Sequence, residues 1–238
     1  MFKAADMSIW KGRTDDDGGD RSLRWHQCVT TIGEAFGEAG TALLGICCDE
    51  GVRRNMGRIG AAGGPAAIRQ YLSNLPFLLD RPLYDAGNLY CEEGQLEMLQ
   101  EEHAELVRKL LNQNHFPLVL GGGHEIAFGN FSGFSRHLRD HGPVGLTGII
   151  NFDAHFDLRR AGRPNSGTPF LQAADLCREN NYPFKYFCLG ISRTSNSRTL
   201  FDRAEDLSVD YLLDEELYPW KMAEAEQKLA SFIRDCRQ

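Results

Sequence analysis

The chain has 238 residues, 42% of them hydrophobic, so it can bury a substantial core, and one domain over residues 1–238 is the simplest organisation. A formal net charge of −7 argues against a nucleic-acid or anionic-membrane surface. No apolar run approaches the roughly 20 residues of a membrane span, and no signal-peptide core opens the chain, so we expect a cytoplasmic protein.

Apolar periodicity, glycines and prolines predict alternating strands and helices after an N-terminal arm over residues 1–30. The predicted strands cover residues 42–48, 83–88, 116–120, 146–152, 186–191 and 209–213. The predicted helices cover residues 64–74, 94–113, 125–138, 168–180, 197–206 and 221–235. This alternation predicts a three-layer α/β/α fold with a mostly parallel sheet, in which ligands bind beyond the carboxyl ends of the strands.

The most informative segment is residues 151–157, Asn-Phe-Asp-Ala-His-Phe-Asp, at the end of a predicted strand. It places Asp153, His155 and Asp157 at alternate positions, and a strand with a side-chain period of two would direct them to one face. Two carboxylates and an imidazole form a mixed oxygen and nitrogen set that suits a divalent ion such as Mn²⁺. Taken alone, the segment is also compatible with a polar strand exit whose carboxylates are solvated.

A second cluster follows another apolar strand, where Gly121-Gly-Gly precedes His124 and Glu125. The glycines predict a close approach of the backbone to a neighbouring group. We interpret Glu125 as a hydrogen-bond partner of the site and not as a ligand. The two motifs together favour a metal site over two unrelated polar strand exits.

With these motifs the chain resembles the ureohydrolases, the superfamily of arginases and agmatinases, over nearly its whole length. Further segments make it most similar to the formimidoylglutamases; they are residues 10–13 with Asp15, 49–55, 57–61 leading to 64–69, and 166–170. The resemblance implies an arginase-like fold and manganese-dependent hydrolysis of N-formimidoyl-L-glutamate to L-glutamate and formamide in histidine degradation. The alternatives are another guanidino or ureido hydrolase of the superfamily, or an inactive fragment with a partial metal site.

The resemblance also implies two Mn²⁺ ions per complete subunit, bound by His124, Asp153, His155 and Asp157. Asp153 would hold the metal-bound hydroxide that attacks the amidine carbon, because two adjacent ions lower the pKa of a shared water. Family members carry two further aspartates in a Ser-x-Asp-x-Asp motif. Ser208-Val-Asp210 begins such a motif here, but Leu212 stands at its last position. We therefore expect a chain shortened at its C-terminus, lacking the final strands, with weak Mn²⁺ binding and little activity.

The implied substrate carries two carboxylates, which arginine can bind through parallel hydrogen bonds. Arg159 and Arg193, with nearby Asn196, are the candidates, although each arginine is also compatible with an ordinary surface charge. Ser166 stands where arginases and agmatinases have histidine, as a substrate contact or as the N-cap of the next helix.

We expect the remaining histidines to lie outside the site, with His103 and His137 solvated on helices. The expected partner is a small molecule, with no nucleic acid or membrane, and a homo-oligomer is compatible with the sequence.

Overall fold

The chain is described by a computed structural model over residues 1–15, 18–33, 38–142 and 147–236. These residues form two compact units, one of residues 1–137 and 164–166 and the other of residues 138–163 and 167 onward. The single-domain organisation expected from the sequence stays a prediction. In the described part of the chain, no helix has the length and apolar character needed to cross a membrane.

The first unit is built on a sheet in the order β1-β4-β3-β5, with β2 also paired to β4. Its pairings are parallel except that of β1 with β4. The N-terminal arm therefore contributes to this sheet, because it supplies β1 and β2. The strands are β1 (Phe2–Lys3), β2 (Val29–Thr31), β3 (Thr41–Cys47), β4 (Leu83–Tyr90) and β5 (Phe116–Leu120).

Helices cover both faces of this sheet, as the alternation of apolar side chains along β3 requires. Leu44 and Ile46 pack in one cluster with Leu99 of α4, whereas Leu43 packs in another with Leu72 of α3. The helices are α1 (Trp25–Cys28), α2 (Glu50–Arg54), α3 (Gly64–Leu72), α4 (Leu96–Asn112) and α5 (Ile126–Asp140), the last of which begins in this unit.

The second unit has a parallel sheet in the order β6-β7-β8, also covered on both faces. The ring of Phe187 on β7 lies 5.5 Å from that of Phe232 on α8, while the adjacent Tyr186 stacks on Phe170 of α6 at 4.5 Å. The elements are β6 (Gly148–Phe152), α6 (Pro169–Glu179), β7 (Lys185–Ile191), α7 (Arg198–Asp206), β8 (Asp210–Leu213) and α8 (Met222–Asp235).

The predicted α/β class with parallel sheets between helical layers is confirmed, and each predicted helix and strand is present with small shifts at its ends. Residue 146, predicted to open a strand, lies outside the described residues. The strands in the N-terminal arm and helix α2 were not predicted. Short 3-10 helices complete the description, at Met7–Ile9, Gly19–Ser22, Ala61–Gly63, Asp214–Glu216 and Pro219–Lys221.

Candidate metal centre

The glycine-rich motif of the first unit turns sharply at the carboxyl end of β5 and leads to a half-buried His124. The Gly122 N–H donates to the carbonyl of Ile46, at 3.0 Å. A Cβ on Gly122 would lie 2.7 Å from that oxygen and 2.8 Å from the carbonyl oxygen of Cys48, so only glycine fits. The predicted close approach of the backbone is confirmed, and the neighbouring group is the end of β3.

Glu125, directly after His124, is fully buried and joins this turn to α2. Its Oε1 accepts a hydrogen bond from the Gly51 N–H at 3.0 Å. A Cβ on Gly51 would lie 2.3 Å from the carboxyl carbon, so the contact requires glycine at that position. Burial raises the pKa of the Glu125 carboxyl above its ordinary value. Glu125 is thus a hydrogen-bond partner of the α2 backbone, and its predicted role as a hydrogen-bond partner of the site stays a prediction.

Ser166 is held by the same helix. Its N–H donates to the carbonyl of Gly51 at 3.1 Å, and its Oγ accepts a hydrogen bond from the Asn55 amide at 3.1 Å. The alternative that Ser166 caps the following helix is wrong, because Pro169 is the first residue of α6 and Thr168 takes the N-cap position. Gly51 therefore links two candidate positions, donating to Glu125 and accepting from Ser166.

The second motif adopts a conformation that strand periodicity does not describe. β6 ends at Phe152, and the loop 153–158 that follows is irregular, so the expected strand-like alternation is wrong beyond that point. Asp153 Oδ1 accepts the His155 N–H at 2.9 Å and lies 3.2 Å from its Nδ1. Asp157 has a φ of +47°, a left-handed conformation that aspartate adopts more readily than most residues. This turn, and not a strand pleat, brings the side chains together.

The donor groups of loop 153–158 fit a divalent cation. One carboxylate oxygen of Asp153 and one of Asp157 lie within 4.8 Å of each other, and both residues are half-buried. Two carboxylates at this separation repel each other unless a proton or a cation compensates their charge. The exposed His155 imidazole lies 3.2 Å from the Asp153 carboxylate, and carboxylate oxygens with an imidazole nitrogen are a donor combination that Mn²⁺ accepts. His124 lies in the other unit, and its place among the ligands stays a prediction.

The proposed substrate contacts of the second unit differ in environment. Arg159 is exposed just after the loop, and its backbone N–H donates to Gly167 at 2.8 Å. Arg193 is also exposed and pairs with Glu215 at 3.1 Å. Asn196 is buried, and its amide contacts loop 153–158.

Sequence reasoning missed Gly51 and Tyr186 around these motifs. Gly51 lies in the segment 49–55 that carried the family resemblance, so that resemblance was the available signal. The hydroxyl of Tyr186 contacts the carbonyl of Phe156. Tyr186 lies inside an apolar strand, so no pattern of polar residues marked it in the sequence.

Residues 39–238 match the model of the arginase family. The formimidoylglutamase of Aeromonas hydrophila is 50% identical over 237 residues, covering 99% of this chain and 74% of that protein. The formimidoylglutamase of Chromobacterium violaceum is 46% identical over 228 residues, covering 96% of this chain and 72% of that protein.

Solved structures of related proteins also align with this chain. Bacillus subtilis formimidoylglutamase aligns with a TM-score of 0.76 at 20% identity, over 94% of this chain and 70% of that one, which shows the shared fold. Trypanosoma cruzi formiminoglutamase with Mn²⁺ aligns with a TM-score of 0.67 at 29% identity, over 76% of this chain and 62% of that one. Since the family model matches most of the chain and the identity to relatives extends over nearly all of it, the chain belongs to the arginase family.

Proposed function

We propose that this protein is a manganese-dependent C–N hydrolase that converts N-formimidoyl-L-glutamate to L-glutamate and formamide in histidine degradation, in the cytoplasm. The observation that carries the proposal is the identity of 46–50% to formimidoylglutamases over nearly the whole chain. Ser166 supports the same substrate class, because it stands where arginases and agmatinases have a histidine and is tied to α2.

His124, Asp153, His155 and Asp157 are the proposed ligands of two manganese ions per complete subunit, with Asp153 shared between them. The close carboxylates of Asp153 and Asp157 support this assignment, as does the Mn²⁺ in the T. cruzi relative. When bound, such an ion pair lowers the pKa of a shared water and stabilises developing negative charge on the reacting group. The carboxylate of Asp153 would hold that water as hydroxide.

The protein's own residues prepare the site by orientation. The Asp153 carboxylate accepts a hydrogen bond from the His155 backbone N–H, and this bond fixes the two candidate ligands relative to each other. The Ser166 Oγ accepts from the Asn55 amide, so its own hydrogen can donate to a substrate oxygen or nitrogen. Arg159 and Arg193 are the proposed partners of the substrate carboxylates, and a carboxylate at Arg193 would compete with Glu215.

A comparison of products tests the substrate. The complete protein, loaded with manganese, is given N-formimidoyl-L-glutamate, L-arginine or agmatine, and formamide and urea are quantified. We expect formamide and glutamate from the first compound, with a kcat/KM far above that for urea release from the other two. Efficient urea release would instead assign an arginase- or agmatinase-like activity, and the absence of turnover on every compound would refute a hydrolase of this type.

A further inference from the structure

Loop 153–158 is irregular, so its backbone groups need partners outside the loop. Strand β7 beside the loop and the segment that follows β7 supply several of these partners. The Asp153 N–H donates to the carbonyl of Leu189 at 3.1 Å, and the carbonyl of Ala154 accepts the Ser192 N–H at 3.0 Å. Farther along, the carbonyl of Asp157 accepts the Phe170 N–H at 3.3 Å. The loop is thus bonded to regular elements on both sides of its candidate ligands.

Asn196 makes the densest set of these contacts. Its Oδ1 accepts the Phe156 N–H at 3.1 Å, and its Nδ2 donates to the carbonyls of Ala154 at 2.7 Å and Ser192 at 2.9 Å. The side chain amide has two N–H hydrogens, and both are used on the backbone. Because Asn196 is only 7% exposed, these bonds form away from bulk water, where losing a partner is costly.

Phe156, between His155 and Asp157, is fixed from a second direction. Its carbonyl accepts a hydrogen bond from the Tyr186 hydroxyl at 3.2 Å. Its ring is fully buried and meets the rings of Phe201 and Tyr211 edge to face, at 5.2 and 5.1 Å. The backbone N–H, the carbonyl and the side chain of Phe156 are therefore all in fixed contacts. These contacts also restrict the positions of the adjacent His155 and Asp157.

We propose that Asn196 is a positioning residue that sets loop 153–158 in its metal-binding conformation before the metal arrives. The inference rests on the proposed function, because it assigns the loop to Mn²⁺. It gives Asn196 a role different from the direct substrate contact considered from the sequence. In this role Asn196 acts through hydrogen bonds to the backbone of Ala154 and Phe156, the two residues that separate the three candidate ligands of the loop.

The test uses the complete protein, stripped of metal and titrated with Mn²⁺ alone by calorimetry, as the parent and as Asn196→Ala. Loss of a group that orients metal ligands costs roughly 10–100-fold in affinity, and we expect that loss for Asn196→Ala. Asn180→Ala is the matched control, because Asn180 also donates its amide to a backbone carbonyl, that of Leu176 at 2.7 Å, but at the end of α6. We expect this control to keep the parental affinity for Mn²⁺.

Amide hydrogen exchange gives a second readout that does not depend on metal or on the folding of a variant. In the metal-free parent, the Phe156 N–H should exchange at least about ten times more slowly than an open loop amide, because it is bonded to a buried acceptor. An unprotected Phe156 amide would overturn the proposal. So would parental Mn²⁺ affinity in Asn196→Ala with a raised KM for formimidoylglutamate, which would assign substrate contact. Failure of the parent to bind Mn²⁺ would instead refute the proposed function.

Discussion

The burial of His103 differs from what the sequence predicted for this residue. His103 was predicted to be solvated because its neighbours are polar, and this was wrong: it is 1% exposed. It occupies the apolar stripe of α4 between Leu99 and Val107, four residues from each, so the spacing alone could have placed it. Gly129 of α5 makes room for the ring, since a Cβ there would lie 2.5 Å from His103 Nδ1.

This burial predicts a specific pH dependence of stability. Burial lowers the pKa of His103 to about 3, below its ordinary value of 6.5. The unfolded chain therefore takes up a proton below pH ~6.5 that the folded protein excludes. The free energy of unfolding should fall by up to ~1.4 kcal/mol per pH unit between about pH 6.5 and 3 on account of this residue. His103→Leu should remove that part of the slope.

Urea denaturation at several pH values between 4 and 7 measures the slope. His141→Leu is the control, because it removes an exposed histidine and leaves the buried His103 in place. If the parent and His103→Leu lose stability equally as the pH falls, the ring is not excluded from protonation by burial.

Among the described elements, α2 is one of those that sequence periodicity could not find. It has five residues, Glu-Gly-Val-Arg-Arg, with one apolar side chain, so it has no amphipathic pattern. Its importance comes from tertiary contacts, through Gly51, Arg54 and Asn55. Arg54 alone donates to Glu50, to Glu97 and to the carbonyls of Gly94 and Pro164, with distances of 2.8–2.9 Å.

Arg54→Lys should therefore destabilise the first unit although the charge is kept. A lysine ammonium has one donor centre and cannot reach acceptors on four groups that a planar guanidinium spans. We expect the free energy of unfolding to fall by about 1.5–3 kcal/mol, the usual contribution of hydrogen bonds to a charged group. Arg53→Lys is the control, since the Arg53 side chain is 59% exposed and pairs with Glu50, and its effect should stay within about 0.5 kcal/mol. Equal losses in urea denaturation would show that Arg54 is not the brace of this helix.

Strands such as β5 were predicted well because an apolar run between an asparagine-rich turn and three glycines has few other solutions. The loop 153–158 was predicted by residue type but not by shape. Its form depends on Asn196 and Tyr186, which come from later in the chain, and local periodicity carries no information about such contacts. Sequence reasoning therefore found the chemistry of the candidate ligands and missed what holds them.

At the scale of the whole molecule, strand–helix alternation was sufficient for the fold class, and two motifs at strand ends were sufficient for the family. The pairing of strands within each sheet could not be predicted from the alternation of strands and helices. β1 and β2 have two and three residues, too short for a pattern, and both pair with β4 more than 50 residues away. Their place is fixed by long-range hydrogen bonds and by the packing of Val29 in the cluster that contains Leu83.

Loop 153–158 is proposed to bind the manganese of a formimidoylglutamate hydrolase, with Asp153 as the shared ligand. The most direct test is the rate of formamide release by Asp153→Ala beside the parent, both in the complete protein with excess Mn²⁺. Because losing even a residue that only orients ligands costs roughly 10–100-fold in metal affinity or activity, removing the shared ligand should lower the rate by more than about 100-fold. Near-parental turnover by Asp153→Ala, with two manganese ions per subunit by elemental analysis, would show that Asp153 is not the shared ligand.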